Sequence, residues 1–251
     1  IFALPPGFEG ISDDLLAATL AHELTHLIDF SSKVRVGRQE DAWLDEGLAH
    51  LAEDLSGYGI DLPTIVSDPE TGFLAHVNET ALTGSDAEDT LMRRGAAYLF
   101  LRYLFEQAGG VTVGTQHPGD LTDDGGAAAL GCLVDSGEVG IGNVDRCAGF
   151  PSRFADWTAT LVVDASGGTI TADPRFNYAA PRPDPFTGHP RGIDLQPGGG
   201  PAIFGPLAGN ESGTVPHTGM RILSASFAIS TTVTVTGEAG GEIGLTAVRT
   251  P

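Results

Sequence analysis

The chain has 251 residues, 41% of them hydrophobic, which suits one large domain or a medium domain with a small appendage. It carries 33 acidic residues against 13 lysines and arginines, so its formal net charge is -20. Such an acidic surface repels nucleic acid and anionic lipid, and we expect neither as a partner. No apolar run approaches the roughly 20 residues that span a bilayer, and no signal-peptide pattern is present.

The first predicted helix starts at Ser12, which is a favourable N-cap residue. Asp13 and Asp14 follow in the first turn, where the helix dipole favours negative charge. Apolar residues recur at helical spacing as far as Ile28 or Phe30, so we expect the helix to end there. They predict an apolar face made of Leu15, Leu16, Thr19, Leu20, Leu24 and Leu27.

Four further helices are predicted within the first two thirds of the chain. They cover residues 42 to 55, 90 to 107, 127 to 134 and 151 to 163. Gly57 is a plausible end for the first of these, because glycine accepts the left-handed conformation that follows many helices. We expect residues 1 to 165 to form one helical domain whose N-terminal sheet is incomplete in this sequence.

The last third of the chain has a different composition, rich in Gly, Pro and Thr. Residues 166 to 215 have little periodicity and many prolines, which indicates an extended wrap over the surface or a linker. Residues 221 to 230, 231 to 236 and 244 to 249 alternate like strands. They predict a β-rich region over residues 216 to 251, either a small module or outer strands of the same domain. The fold class expected is therefore α+β and mainly helical.

The two cysteines, Cys132 and Cys147, are fifteen positions apart. A metal site would need a CxxC-type spacing with further ligands, which is absent. We favour a disulfide over free thiols, bridging the helices at 127 to 134 and 151 to 163. Such a loop closure stabilises the fold by about 3 kcal/mol and indicates an oxidising, extracytoplasmic location.

His22, Glu23 and His26 form an HExxH sequence inside the first predicted helix. Residues four apart lie on one face of a helix, so both imidazoles can reach one metal ion. Glu23 is rotated by about 100° from His22 and can act as a base on metal-bound water without being a ligand. The alternative interpretation is a helix that carries two histidines by chance.

A third metal ligand is expected from the second helix. Asp29 and Ser32 stand where a metzincin would have glycine and histidine, which excludes that branch. Glu46 lies twenty residues after His26, and a carboxylate from a neighbouring helix leaves a fourth position open for water. Asp45 and His50 are the alternative ligands, and we favour Glu46 over both.

The sequence resembles the gluzincins, the HExxH-plus-glutamate peptidases that include thermolysin. The resemblance rests on the HExxH, on the Trp-Leu-Asp-Glu-Gly-Leu-Ala stretch at 43 to 49, and on the separation of His26 from Glu46. It is greatest for the hyicolysin-like bacterial metallopeptidases, which share a Glu-Gly-Leu-x-x-x-Ala-Glu-Asp stretch (46 to 54) and a helix like that at 95 to 104. It covers roughly residues 12 to 163.

This resemblance implies a zincin-type catalytic domain that binds one Zn²⁺ through His22, His26 and Glu46, with Glu23 as general base and acid. Zinc-bound histidines usually donate their other N–H to a carboxylate. Asp29, Glu53 and Asp54 are near enough in sequence, and Glu53 is the first choice because it shares the face of Glu46.

A donor for the oxyanion of the reaction is expected outside the metal motifs. Several relatives have a tyrosine immediately before, or three residues before, the glycine of the third helix. Here Arg94 and Met92 stand at these places before Gly95. Arg94 and Tyr98 are therefore the two candidates for the donor, and helix packing is the alternative interpretation of Tyr98.

A calcium site in the loop at 120 to 126 is a further interpretation of the sequence. Asp120, Asp123 and Asp124 precede Gly125 and Gly126, and clustered carboxylates on a loop can bind calcium. The EF-hand spacing is absent, so we interpret the loop as a solvated acidic turn.

These expectations together describe a secreted zinc-dependent endopeptidase that acts on a protein or peptide substrate. Glu23 would assist the attack of zinc-bound water on the scissile carbonyl. The alternative is a non-catalytic secreted binding or adhesion protein that retains a peptidase-like fold.

Overall fold

The computed structural model describes residues 11–196, 200–203, 205–207, 212–226, 232–237 and 243–249. Within these ranges the chain is a mainly helical α+β protein. The helices are α1 (Asp13–Val34), α2 (Ala42–Ser56), α3 (Leu62–Val66), α4 (Phe73–His76), α5 (Leu91–Gln107), α6 (Gly126–Asp135), α7 (Gly140–Ala148) and α8 (Phe150–Asp164). Single 3₁₀ turns lie at Asp86–Glu88 and Pro174–Phe176. No helix in the described part of the chain is long and apolar enough to cross a membrane.

The strands are short and pair only two by two in the described ranges. β1 (Val111–Val113) and β2 (Leu121–Asp123) are antiparallel, with Thr112 opposite Thr122. β3 (Arg182–Pro183) and β4 (Pro190–Arg191) are also antiparallel, whereas β5 (Gly205–Pro206) and β6 (Leu223–Ser224) are parallel. The helices therefore supply the framework around the candidate site.

Helix α1 begins as predicted and continues beyond the predicted end. The Ser12 hydroxyl accepts a hydrogen bond from the backbone N–H of Leu15 at 3.2 Å, which is an N-cap contact. The expected packing face is wrong in part, because Leu20, Leu24 and Leu27 are 39%, 52% and 52% exposed. The helix instead turns its polar face, with the two histidines, towards α2. Ion pairs and a hydrogen bond on that side connect α1 to α2.

A buried lysine fixes the C-terminal end of α1. Lys33 is fully buried, and its Nζ lies 3.0 Å from Glu40 Oε2. It also donates to the carbonyls of Leu133, Ser136 and Glu138 at 2.8 to 3.1 Å. The charge is paired and its hydrogen-bonding capacity is used, which burial of an ammonium group requires. The contact holds the helix that carries the HExxH against the region between α6 and α7.

Helices α2 and α5 form the centre of the core. Every residue of α5 from Gly95 to Phe105 is buried. Gly47 of α2 lies against α5, and a Cβ added there would be 2.8 Å from Leu101 Cδ1 and 2.9 Å from Ala97 Cβ. Only glycine permits so close an approach. Gly57 ends α2 with φ 83°, as predicted.

The disulfide is present, between different helices from those expected. Cys132 and Cys147 are bonded, and they connect α6 to α7. The prediction of a bridge to the helix at 151 to 163 is wrong because α7, which the sequence pattern did not reveal, lies between.

Residues 173 to 196, which follow α8, lie against the helical core. The Tyr178 hydroxyl accepts a hydrogen bond from Trp157 Nε1 and donates one to the Leu99 carbonyl, both at 3.0 Å. Asp54 of α2 accepts from the backbone N–H of Gly192 at 2.7 Å. This part of the chain is thus an extended wrap and not a free linker.

The predicted C-terminal strands are largely absent from the described residues. Only Leu223–Ser224 is a strand within the 221 to 230 stretch, of which residues 227 to 230 lie outside the described residues. Residues 232 to 236 and 244 to 249 have no regular structure, so the β-rich prediction is wrong there. Alternation predicts a strand only where a partner strand is available.

Candidate metal centre

The three predicted metal ligands come together between α1 and α2. The His22 and His26 rings are one helical turn apart, with centroids separated by 4.8 Å. Their Nε2 atoms both face Glu46: His22 Nε2 lies 3.5 Å from Oε2, and His26 Nε2 lies 3.9 Å from Oε1. All three ligand atoms lie within 4.8 Å of one another.

These distances fit a zinc ion. Ligands at 2.0 to 2.1 Å from a tetrahedral ion are about 3.4 Å apart. The Nε2 atoms of His22 and His26 lie 3.5 and 3.9 Å from Glu46, measured to its Oε2 and Oε1 respectively. Glu46 Oε2 is buried, and the ion pair that Arg94 Nη1 forms with it at 2.8 Å lacks hydrogen-bond geometry. Two imidazoles and one carboxylate are a ligand set that catalytic zinc uses, with a fourth position left for water. His22, His26 and Glu46 are therefore the residues that could hold a metal.

A carboxylate stands behind each histidine. Glu53 Oε1 is 2.6 Å from His22 Nδ1, and Asp45 Oδ1 is 2.9 Å from His26 Nδ1. With a metal bound, these carboxylates would favour the proton on Nδ1 and leave Nε2 available as the ligand atom. Glu53 was the carboxylate expected here. The contact of Asp45 was missed, although its position beside Glu46 on the next helix was the available signal.

The charges around the histidines change their pKa values in the metal-free chain. Burial lowers the pKa of His22, but Glu46 and Glu53 outweigh it and raise the value to about 9. Asp45 raises the pKa of His26 despite burial. Conversely, burial alone would raise the pKa of Glu46 and Glu53, while the facing histidines lower both. The cluster is thus poised to exchange bound protons for a cation.

His50 extends the cluster and adds a second group of potential metal ligands. His22, His50 and Glu53 also have potential ligand atoms within 4.8 Å of one another. However, Glu53 Oε1 is already 2.6 Å from His22 Nδ1 and 2.9 Å from His50 Nδ1. Ligands of one zinc ion lie about 3.4 Å apart, so atoms this close would have to separate before an ion could bind between them. We interpret this group as a support for His22.

Glu23 is free to act on a molecule at the site. It is exposed on α1, and no side-chain hydrogen bond or ion pair is formed by it among the described residues. Its position, one residue from His22, places it beside the ligand face instead of on it.

Tyr98 and Asp54 belong to a different network. Tyr98 is fully buried, and its hydroxyl donates to Asp54 Oδ2 at 2.9 Å. Asp54 also pairs with Arg102 at 2.8 Å and contacts neither histidine. Tyr98 is therefore not exposed to a substrate, and Asp54 is not behind a metal ligand. These two site predictions are not supported by the geometry, because both residues point away from α1 into the core.

Arg94 reaches the site from α5. Its Nη1 lies 2.8 Å from Glu46 Oε2, and its Nε lies 3.1 and 3.0 Å from the two oxygens of Asp89. Arg94 was expected as a donor to an oxyanion, and its observed contacts are with two carboxylates. Asp89 was missed, since a lone acidic residue before a helix gives no specific signal.

The acidic loop at 120 to 126 uses its carboxylates internally. Asp123 accepts backbone hydrogen bonds from Gly125, Ala127 and Ala128 at 2.8 to 3.2 Å, which caps α6. Asp120 accepts from the backbone of Gln116 at 3.0 Å. These aspartates are not among the potential metal-binding groups found in the described ranges. The acidic-turn interpretation therefore explains them better than a calcium site.

Comparisons of the chain with models of protein families, with curated protein sequences and with solved structures found no match.

Proposed function

We propose that the chain is a secreted zinc-dependent endopeptidase of gluzincin type. The observation that carries this proposal is the ordered ligand set. Two histidines one turn apart direct Nε2 at Glu46 while Glu53 and Asp45 hold their Nδ1 atoms. The exposed Glu23 beside this set supports catalysis over a purely structural site.

Zinc at this place would act as a Lewis acid on the scissile carbonyl and on water. His22, His26 and Glu46 would hold the ion, and Glu53 and Asp45 would keep the two imidazoles in one tautomer. Glu23 accepts a proton from the attacking water and delivers it to the leaving amine nitrogen. The disulfide between Cys132 and Cys147 supports an extracytoplasmic location, where such bonds persist.

The test is hydrolysis of casein and of a peptide library by the zinc-loaded chain. We expect activity that a chelator removes and added zinc restores. Glu23→Gln should bind zinc normally and lose at least about 100-fold in kcat, since a general base contributes 10²–10⁴-fold. Glu79→Gln is the matched control, because Glu79 is exposed in a turn and belongs to neither group of potential metal ligands.

A Glu23→Gln variant that hydrolyses peptides at the wild-type rate would refute the mechanism. A wild-type chain that binds zinc tightly but cleaves nothing in the library would favour the non-catalytic binding protein instead.

A further inference from the structure

Arg94 lies where it can control how Glu46 binds a metal. Its guanidinium stands between two carboxylates, with Nη1 2.8 Å from Glu46 Oε2 and Nε 3.0 Å from Asp89 Oδ2. The side chain is 27% exposed, the Glu46 side chain is 16% exposed and that of Asp89 is 24% exposed. An ion pair this sheltered is screened less than one on the open surface.

Asp89 gives Arg94 a fixed orientation. Both oxygens of Asp89 contact the guanidinium Nε, and Oδ2 also accepts from Nη2. Arginine presents its donors in a rigid planar fork, so binding one edge to Asp89 determines the direction of Nη1. Thr90, the next residue, caps α5 through a hydrogen bond to Arg93 N. Asp89 and Arg94 are thus both anchored at the start of α5.

The backbone of α2 and α5 is shaped for this contact. Gly47, next to Glu46, permits the close approach of α2 to Ala97 and Leu101 of α5. A larger residue at position 47 would separate the helices and with them the Glu46 carboxylate from the Arg94 guanidinium.

A carboxylate can bind a metal through one oxygen or through both. Binding through both would take the position that a catalytic zinc site keeps for water and substrate. We propose that Arg94 is a positioning residue that holds one oxygen of Glu46, so that Glu46 binds the metal through the other oxygen alone. This inference rests on the proposed zinc site and adds to it a reason why the fourth position stays open.

Arg94 acts through Glu46 in this account and does not itself touch the reacting atoms. Its described polar contacts are with two carboxylates, and each terminal nitrogen has a second N–H group besides the one used in these contacts. A direct role on the oxyanion is the competing interpretation, and the two differ in whether the metal coordination changes when Arg94 is replaced.

The test uses the metal-free full chain loaded with cobalt(II), whose visible absorption bands are intense in four-coordinate sites and weaken with a fifth ligand. We expect Arg94→Met to lower the intensity of these bands and to lower kcat by about 10- to 100-fold, the range found for groups that orient metal ligands. Arg94→Lys retains the positive charge, so its band intensity and its kcat should lie between those of Arg94→Met and wild type. Asp89→Asn should move both in the same direction as Arg94→Met, and it serves if that variant does not fold.

Arg93→Met is the matched control. Arg93 is the neighbouring arginine on α5, and its guanidinium donates to the backbone carbonyls of Ala81 and Glu88 instead of to Glu46. Its replacement should leave the cobalt spectrum unchanged. An Arg94→Met variant that keeps the wild-type spectrum would overturn the positioning role, whether or not kcat falls. A wild-type chain that binds cobalt but cleaves no peptide would remove the peptidase proposal, while the spectra would still decide the role of Arg94.

Discussion

Proton release should accompany metal binding, and Glu53 should control how strongly zinc affinity depends on pH. In the metal-free chain the pKa of His22 is raised to about 9, chiefly by Glu46 and Glu53 acting against burial. Zinc binds the neutral imidazole. At pH 7, two units below the pKa of His22, it must displace the proton that the imidazole holds. This competition weakens apparent zinc affinity about 100-fold at pH 7, or about 2.7 kcal/mol. Affinity should therefore rise at least about tenfold per pH unit between pH 7 and pH 9, since the pKa of His26 is raised as well.

Glu53→Ala has two opposite effects on this dependence. Removing the carboxylate 2.6 Å from His22 Nδ1 lowers the pKa of the imidazole and flattens the pH dependence. It also removes the group that orients His22, which typically costs about 10- to 100-fold in metal affinity. The loss of zinc affinity in Glu53→Ala should thus be small at pH 7 and reach its full size at pH 9. Glu53→Gln, which retains an acceptor oxygen without the charge, should lose less than Glu53→Ala at pH 9.

The assay is competition for zinc with a chelator of known affinity at four pH values from 7 to 9. Glu79→Gln serves as the control, because it removes an exposed carboxylate without touching the cluster. A wild-type affinity independent of pH over this range would refute the reasoning about His22. Equal zinc affinities of Glu53→Ala and wild type at pH 9 would show that Glu53 does not support the metal ligand.

Three further predictions concern stability. Lys33→Met should destabilise the chain by about 3–5 kcal/mol in urea unfolding, because it leaves Glu40 buried without its cation; a loss under about 1 kcal/mol would contradict this. Replacing Cys132 and Cys147 together by alanine should cost about 3 kcal/mol through the fifteen-residue loop, measured by the same unfolding under non-reducing conditions, and equal midpoints would contradict it. Burial, with Glu40 and Asp45, raises the pKa of Asp29 to about 7 from its usual value of 3.8. Between these two pH values Asp29 is therefore protonated in the folded metal-free chain and ionised in the unfolded chain. Stability should then fall as pH rises from about 4 to 7, and Asp29→Asn should remove this fall and be more stable than wild type at pH 8, by at most about 4 kcal/mol; parallel pH profiles of the two chains would argue against it.

Local signals in the sequence were sufficient for the elements that carry the site. The N-cap at Ser12, the spacing of His22 and His26, and the glycine after α2 each depend on neighbouring residues alone. They predicted α1 and α2, while the juxtaposition of the histidines with Glu46 was expected from the separation of Glu46 from His26 and from the resemblance to gluzincins. The contact of Glu53 with His22 followed from its helical face.

Features that depend on contacts distant in sequence were not predictable in the same way. The exposed face of Leu20, Leu24 and Leu27 has the periodicity of a packing face, and periodicity does not reveal what lies opposite. Helix α7 (Gly140–Ala148) contains two glycines and is held by the disulfide and by buried Val144, so its own propensity gave little signal.

The contact between Arg94 and Glu46 is the clearest case within the site. Forty-eight positions separate the two residues, and the contact exists because Gly47 lets α2 approach α5 closely. Tyr98, one turn after Arg94, turns into the core instead, where its hydroxyl donates to Asp54. Helical spacing placed both residues near the site, and only the packing of α2 against α5 distinguishes them.

The most direct test of the central claim is X-ray absorption at the zinc edge of the zinc-loaded chain, recorded for wild type and for His50→Ala. The account predicts two imidazoles and oxygen ligands at about 2.0–2.1 Å, with the same spectrum when His50 is removed. Three imidazoles in the wild type, or a loss of one imidazole in His50→Ala, would contradict a site built from His22, His26 and Glu46.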